Sequence, residues 1–222
     1  MLAELIERAT GQDFRAFVRD AVLDPLGLRR LQVGVPEGEQ GDIRTLVNTG
    51  EPPTRDELMA VIGIPELPVT EVTPDALLSF NHPAVRAVGV PGGGGVANAS
   101  ELALFYQAIL HNPAGTWKPD VLTDVTTVVR NTFPDYLRVP ANRTRGLVLA
   151  GDDGRSNLRG MGKTVSPAAF GHNGAGGQIA WADPATGLSF AYLTNGMDQH
   201  VIRQSRRTTA IASRAAVCAT AA

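Results

Sequence analysis

Cysteine is almost missing from this chain: Cys218 is its only one, which rules out a disulfide within the chain and a cluster of thiolate ligands. The histidines His82, His111, His172 and His200 lie far apart, no two at ligand spacing, so no metal and no other cofactor is expected. No apolar run approaches the length of a membrane span. Met1 opens into an amphipathic segment with no basic stretch leading an apolar core, so the sequence as written has no secretory leader and the default expectation is a cytoplasmic location. A net charge of −2 offers nothing to nucleic acid or an anionic membrane. No Gly-x-Ser-x-Gly elbow occurs; Gly187-Leu188-Ser189-Phe190-Ala191 comes nearest, but it sits inside a strand with no helix after it, which excludes the α/β-hydrolase arrangement. Lysine is scarce too, Lys118 and Lys163 being the only two, so arginine carries nearly all the positive charge.

What the chain does have is enough apolar material for a sizeable core: 43% hydrophobic and 19% charged residues over 222 positions, as in a globular protein of one large or two small domains. Its most informative stretch is Phe170-Gly171-His172-Asn173-Gly174-Ala175-Gly176-Gly177. A second apolar run, Gln178 to Ala182, leads into Asp183-Pro184-Ala185-Thr186-Gly187, after which Leu188 to Leu193 returns. Pro184 presets φ, Asp183 accepts backbone hydrogen bonds and Gly187 supplies a left-handed residue, so the two runs read as a hairpin. Glycines around one ionisable side chain let a ligand or another segment approach backbone N–H groups, which is how an oxyanion-binding edge is built. Spacing alone leaves a plain turn open as well.

Along the rest of the chain, Leu2, Leu5, Ile6 and Ala9 recur at helical spacing up to Gly11, and Asp13 caps a second helix with Phe14, Phe17, Val18 and Val22 on its apolar face. Residues 30–81 show little pattern beyond a short helix from Thr54 to Ile62. Asn98-Ala99-Ser100-Glu101 approximates a capping box before a helix from Leu102 to Leu110, and another helix follows Pro119 to about Arg130. Strands are expected at about 145–151, 168–173 and 178–194, the last a hairpin pair. Asp198 is expected to cap a closing helix to about Ala221, with Val201, Ile202, Ile211, Ala215 and Val217 as its stripe. Gly92 to Ala97 matches a dinucleotide-binding pattern ahead of a helix, but Pro91 interrupts the feeding strand and no acid-ended strand follows, so it reads as a turn leading a helix.

Taken together these segments resemble the serine β-lactamase family, meaning class C β-lactamases, family VIII carboxylesterases and DD-peptidases. Ile6 to Gly11, Phe14 to Val18 and Asp24-Pro25-Leu26-Gly27 are similar to the helix pair that follows the family's Tyr-x-Asn motif. Pro91 to Tyr106 is similar to its glycine turn and helix, and Phe170 to Gly177 with Ala182-Asp183-Pro184 to its third motif, Lys-Thr-Gly in β-lactamases and often His-x-Gly in esterase-like members. The resemblance implies an α/β (α+β) fold: an antiparallel sheet with flanking helices plus a helical region, residues 1–140 mainly helices and loops, 141–222 strands and closing helix. It implies that His172 stands where the motif's lysine stands, that Asn173 takes the middle position, that Gly174 keeps the strand edge open and that the Ala175 N–H is the second oxyanion donor.

The family's nucleophile pair, Ser-x-x-Lys, is missing, since Lys118 follows Gly115 and Lys163 follows Gly160 at that spacing. Tyr-x-Asn is missing as well: Tyr106, Tyr136 and Tyr192 are followed at that spacing by Ala108, Arg138 and Thr194. Ser79-Phe80-Asn81 imitates a Ser-x-Asn motif in the wrong place and reads as a loop. The expectation is therefore the C-terminal part of a serine hydrolase that takes a small-molecule ester or amide through an acyl-enzyme. Histidine in place of lysine, with no second Lys or Arg beside it, favours ester substrates. The alternatives are a non-catalytic binding protein that keeps the cleft, and a start site placed too far along a full enzyme.

Overall fold

The computed structural model describes residues 1–68, 72–135 and 137–219. Helix α1, Leu2–Thr10, ends at Gly11, whose φ of 71° turns the chain. Helix α2, Phe14–Val18, is capped as expected by the Asp13 carboxylate, which accepts from the N–H groups of Arg15 and Ala16. It runs on into one wider π-type turn, Arg19–Leu23, that no sequence signal announced. Strand β1, Gln32–Val33, and strand β2, Val47–Thr49, lie in the region expected to be pattern-poor. Helix α3, Arg55–Val61, has a full capping box, with Thr54 and Glu57 satisfying each other's backbone N–H. Helices α4, Pro74–Leu78, and α5, Pro83–Val88, both start on proline, where the missing N–H costs nothing.

Strand β3, Gly95–Val96, pairs antiparallel with β1 and feeds α6, Ala99–His111. Asn98 caps α6, but the anticipated capping box does not close. The Glu101 carboxylate accepts instead from the N–H groups of Arg30 at 2.6 Å and Leu31 at 2.9 Å, two donors left open at the start of β1. Helix α7, Pro119–Thr127, stops short of Arg130. Strand β4 is only Val148–Leu149, shorter than anticipated. Strands β5, Phe170–Asn173, β6, Ile179–Asp183, and β7, Leu188–Tyr192, follow in an antiparallel sheet of order β4-β5-β6-β7. Strand β8, Gly196–Asp198, leaves that sheet and pairs in parallel with β2, Val47 opposite Gly196.

The sheet is the middle of three layers. On one face Val148, Ile179 and Trp181 pack with Ala212 and Ala216 of the closing helix α8, Val201–Ala216. On the other, Leu149, Phe170, Ala180 and Ala182 pack with Tyr106 and Ile109 of α6. Strand β6 is buried at every position, as a strand covered on both faces must be, and it places Trp181 at 0% exposure. The hairpin turn forms as its residues dictate: Asp183 Oδ1 accepts from Ala185 N–H at 3.0 Å and Gly187 takes φ 71°. Asp183 is also buried, its carboxylate accepting from the Ser166 N–H and hydroxyl, and Gln107 of α6 ties down the Gly187 carbonyl at 2.7 Å.

The closing helix departs from expectation in three respects. Its cap is His200, whose Nδ1 accepts from Arg203 N–H, while Asp198 holds the His200 N–H and two arginines. It ends at Ala216, and Val217 is 65% exposed instead of joining the apolar stripe. The end point anticipated at Ala221 lies outside the described residues.

Candidate active site

Strand β5 places His172 at its open end. The register sets Phe170 opposite Ala182 and His172 opposite Ala180, so both side chains share the α6 face of the sheet. Beside His172 lies a cleft of about 210 Å³ lined by Leu102 and Tyr106 of α6 and by Gly174, Gln178, Ile179 and Ala180. Tyr106 stacks on Phe170, ring centroids 6.4 Å apart, and burial pushes its hydroxyl pKa up to about 12, so it stays a neutral donor across the working range. Gln178 is fully committed: its amide clasps the backbone of Thr194 with two 2.8 Å hydrogen bonds.

His172 is held from both sides of its ring. Arg143 Nη1 lies 3.0 Å from Nε2, and the Asn173 carbonyl lies 2.5 Å from Nδ1. A guanidinium can only donate, so Nε2 must be the acceptor and Nδ1–H the donor, which fixes one neutral tautomer. The electrostatics agree: desolvation lowers the imidazole pKa most, the Asn173 carbonyl opposes that, and the Arg143 charge lowers it further. His172 therefore faces the cleft neutral, and the positive charge at this end belongs to Arg143. That corrects the expectation that no second Lys or Arg stands beside the histidine. Arg143 lies 29 residues away and reaches it from an irregular segment fixed by paired backbone hydrogen bonds to Asn131 at 2.9 and 3.0 Å. Its other guanidinium N–H groups meet no carboxylate among the described residues.

The remaining anticipated residues separate. The Asn173 side chain does not line the cleft; it lies over Gly160, with only its carbonyl engaging His172. Gly174 lines the cleft, and its N–H donates to the Gln178 carbonyl at 2.8 Å, so the edge is closed at that residue. Ala175 begins the short turn Ala175–Gly177, is exposed, and its N–H meets no acceptor among the described residues. Leu102, Tyr106, Gln178 and Arg143 were not singled out from the sequence. The first two, four apart on α6, share a helix face that periodicity can identify; Arg143 carries no local signal. Among the described residues no group of three His, Cys, Asp or Glu is placed to hold a metal, and no helix is long and apolar enough to cross a membrane.

A three-layer fold with an antiparallel sheet, a glycine-rich turn ending an inner strand and a cleft against a helix defines a β-lactamase/transpeptidase-like protein. The Beta-lactamase family model matches residues 1–214, and the chain belongs to that family. It is 28% identical over 210 residues to the esterase/beta-lactamase LipL of Mycobacterium tuberculosis, covering 88% of this chain and 46% of that protein. Among solved structures it is similar to a penicillin-binding protein homologue from Caulobacter crescentus, with TM-score 0.68, 24% identity, and 95% of this chain and 55% of the other covered. It is also similar to EstA from Arthrobacter nitroguajacolicus Rue61a, with TM-score 0.68, 19% identity and coverage of 99% and 58%. The chain thus spans about half the length of the relatives it matches.

Proposed function

We propose that this chain forms the oxyanion-binding and substrate-lining wall of a serine hydrolase that cleaves a small-molecule ester or amide through an acyl-enzyme. The observation that carries the reading is the apolar cleft beside a neutral His172 and the cation of Arg143, with the exposed and unengaged Ala175 N–H one residue beyond the cleft-lining Gly174. In the reaction a serine hydroxyl attacks the carbonyl carbon, its proton passing to a base. The negative charge that develops on the carbonyl oxygen is met by N–H donors; the bond to the leaving group breaks and water then releases the acyl group. The acylating pair is not among these 222 residues, which contain no Ser-x-x-Lys, so the reading requires a segment that brings one. Histidine in the lysine position favours esters, while Arg143 supplies the charge that an anionic amide would seek, so both substrate types belong in the test.

The test compares this chain alone with the chain joined to a Ser-x-x-Lys-bearing segment from a relative, using a p-nitrophenyl ester and a chromogenic cephalosporin. Expected is turnover, with a serine acyl adduct in the intact mass, in the joined form only. Turnover by the chain alone, or none from the joined form when correctly folded, overturns the reading. A second reading, ligand binding without chemistry, is favoured by the same missing pair; it predicts saturable binding of ester analogues with no mass adduct in either form.

A further inference from the structure

The turn that presents the Ala175 N–H is built from residues that cannot hold its shape by themselves. Gly176 has φ 76° and Gly177 φ 102°, conformations open to glycine, and the internal hydrogen bond from Gly177 N–H to the Gly174 carbonyl is long at 3.4 Å. Its support comes from the opposite side. A side chain on Gly176 would run into Met197 of β8, 2.4 Å from the Cε, so the turn rests directly on that strand. A side chain on Gly177 would meet Gln204 and Arg207 of α8 at 3.3 Å. Only one orientation of the Gln204 amide satisfies both of its neighbours: Oε1 accepts from the Gly177 N–H at 2.8 Å, and Nε2 donates to the Asp198 carbonyl at 3.2 Å. Asp198 is itself anchored, its carboxylate accepting from Arg203 at 2.6 Å and Arg207 at 2.9 Å.

We propose that Gln204 is a positioning residue for the oxyanion turn, an amide bracket that fixes Gly177 to β8 and so holds the backbone of the turn that carries the Ala175 N–H. The proposal rests on the hydrolase reading for its functional consequence, but the bracket itself does not. Gln204 touches neither the cleft nor any reacting atom; it acts through the peptide planes of the turn. Donors to an oxyanion work only within a few tenths of an ångström of their place, and a displacement of about 1 Å is of the order that costs ~100-fold in rate. Loss of the bracket therefore reads out in the chemical step and leaves the apolar lining that binds substrate as it was.

The experiment has two arms. In the isotope-labelled 222-residue chain, amide hydrogen exchange is followed at Gly177 and Ala175 in wild type, Gln204→Leu and Gln204→Glu. The leucine variant keeps bulk but removes both hydrogen bonds; the glutamate variant retains the acceptor for Gly177 N–H. Expected is Gly177 exchange about tenfold or more faster in Gln204→Leu and slower than that in Gln204→Glu, which keeps the Gly177 contact but not the donor to the Asp198 carbonyl, with thermal melting of the rest of the chain little changed. Unaltered Gly177 protection in Gln204→Leu overturns the bracket. In the joined catalytic form, Gln204→Leu is expected to lower kcat about tenfold to a hundredfold with KM within about twofold, and Gln204→Glu to recover part of it. Equal losses in both variants, or a rise in KM alone, overturn the positioning role. If the wild-type joined form has no turnover, the hydrolase reading falls, and the exchange arm decides the bracket without it.

Discussion

At the scale of single residues, the pairing of Arg143 with His172 has consequences that titration can follow. Arg143→Ala removes both the donor that occupies Nε2 and a neighbouring positive charge, so the His172 pKa should rise, by NMR titration, towards the ordinary imidazole value of about 6.5. It should stop short of that value, because the larger cause of the depression, desolvation, stays in place. The sign for stability follows: an imidazole with a lowered folded pKa binds fewer protons folded than unfolded between that pKa and about 6.5, so stability rises with pH through that window. The wild type should therefore lose melting temperature on acidification below about pH 6.5, and Arg143→Ala should lose less; identical profiles would mean that Arg143 does not act on the ring. Gly171 gives a steric prediction. A methyl group there would lie 2.3 Å from the Ala180 carbonyl oxygen and 2.5 Å from Trp181 Cβ, neither of which can give way. Gly171→Ala should cost about 1–3 kcal/mol or more in urea unfolding, the range for forcing atoms into a packed interior.

At the scale of elements, α8 is fastened at its first turns by charge and along its length by alanines. Asp198 is 6% exposed and faces both Arg203 and Arg207, whose hydrogen bonds hold its pKa down at about 2. A carboxylate depressed in this way stabilises the fold above its unfolded pKa of about 3.9, and the contribution is lost as pH falls towards the folded value. Asp198→Asn should lower stability by about 1–3 kcal/mol at neutral pH, less than a wholly buried pair would because both arginines are partly solvated. The gap between variant and wild type should shrink between pH 5 and pH 3, measured by denaturant midpoints. The contrast with Asp183 shows what the sequence could and could not say about an aspartate. Asp183 sits two residues before Ala185, and its turn-closing hydrogen bond is local and so legible, whereas its burial against Ser166, 17 residues back, has no local mark. Asp198 was read as a cap, but its partners lie five and nine residues further on, and the cap position passed to His200.

At the scale of the molecule, local signals located the longer helices and the β5–β7 strands, but not the short β1, β2, β3 and β8 or helices α4 and α5, and they left the assembly unread. The hairpin around Asp183 to Gly187, helices α3 and α6 and the His172 turn were legible because capping, proline and glycine chemistry act within a few residues. Arg143 beside His172 and the β2–β8 pairing were not, because each joins distant segments with no periodicity or spacing to mark them. The surface holds a prediction at this scale: α1 buries none of its residues, and Met1, Leu2 and Leu5 are 99%, 70% and 56% exposed, an apolar stripe in water. The chain should self-associate with rising concentration in sedimentation velocity, and Leu2→Glu with Leu5→Glu should shift it towards monomer. An unchanged distribution would clear α1 as the contact. The β2–β8 ladder, finally, sets an order of events during synthesis. Its two strands are separated by about 150 residues, and among the described residues β8 is followed by α8. At ~5–20 residues per second, β2 leaves the ribosome ~7–30 s before its partner exists, so Val47–Thr49 remains an unpaired nascent edge until β8 emerges.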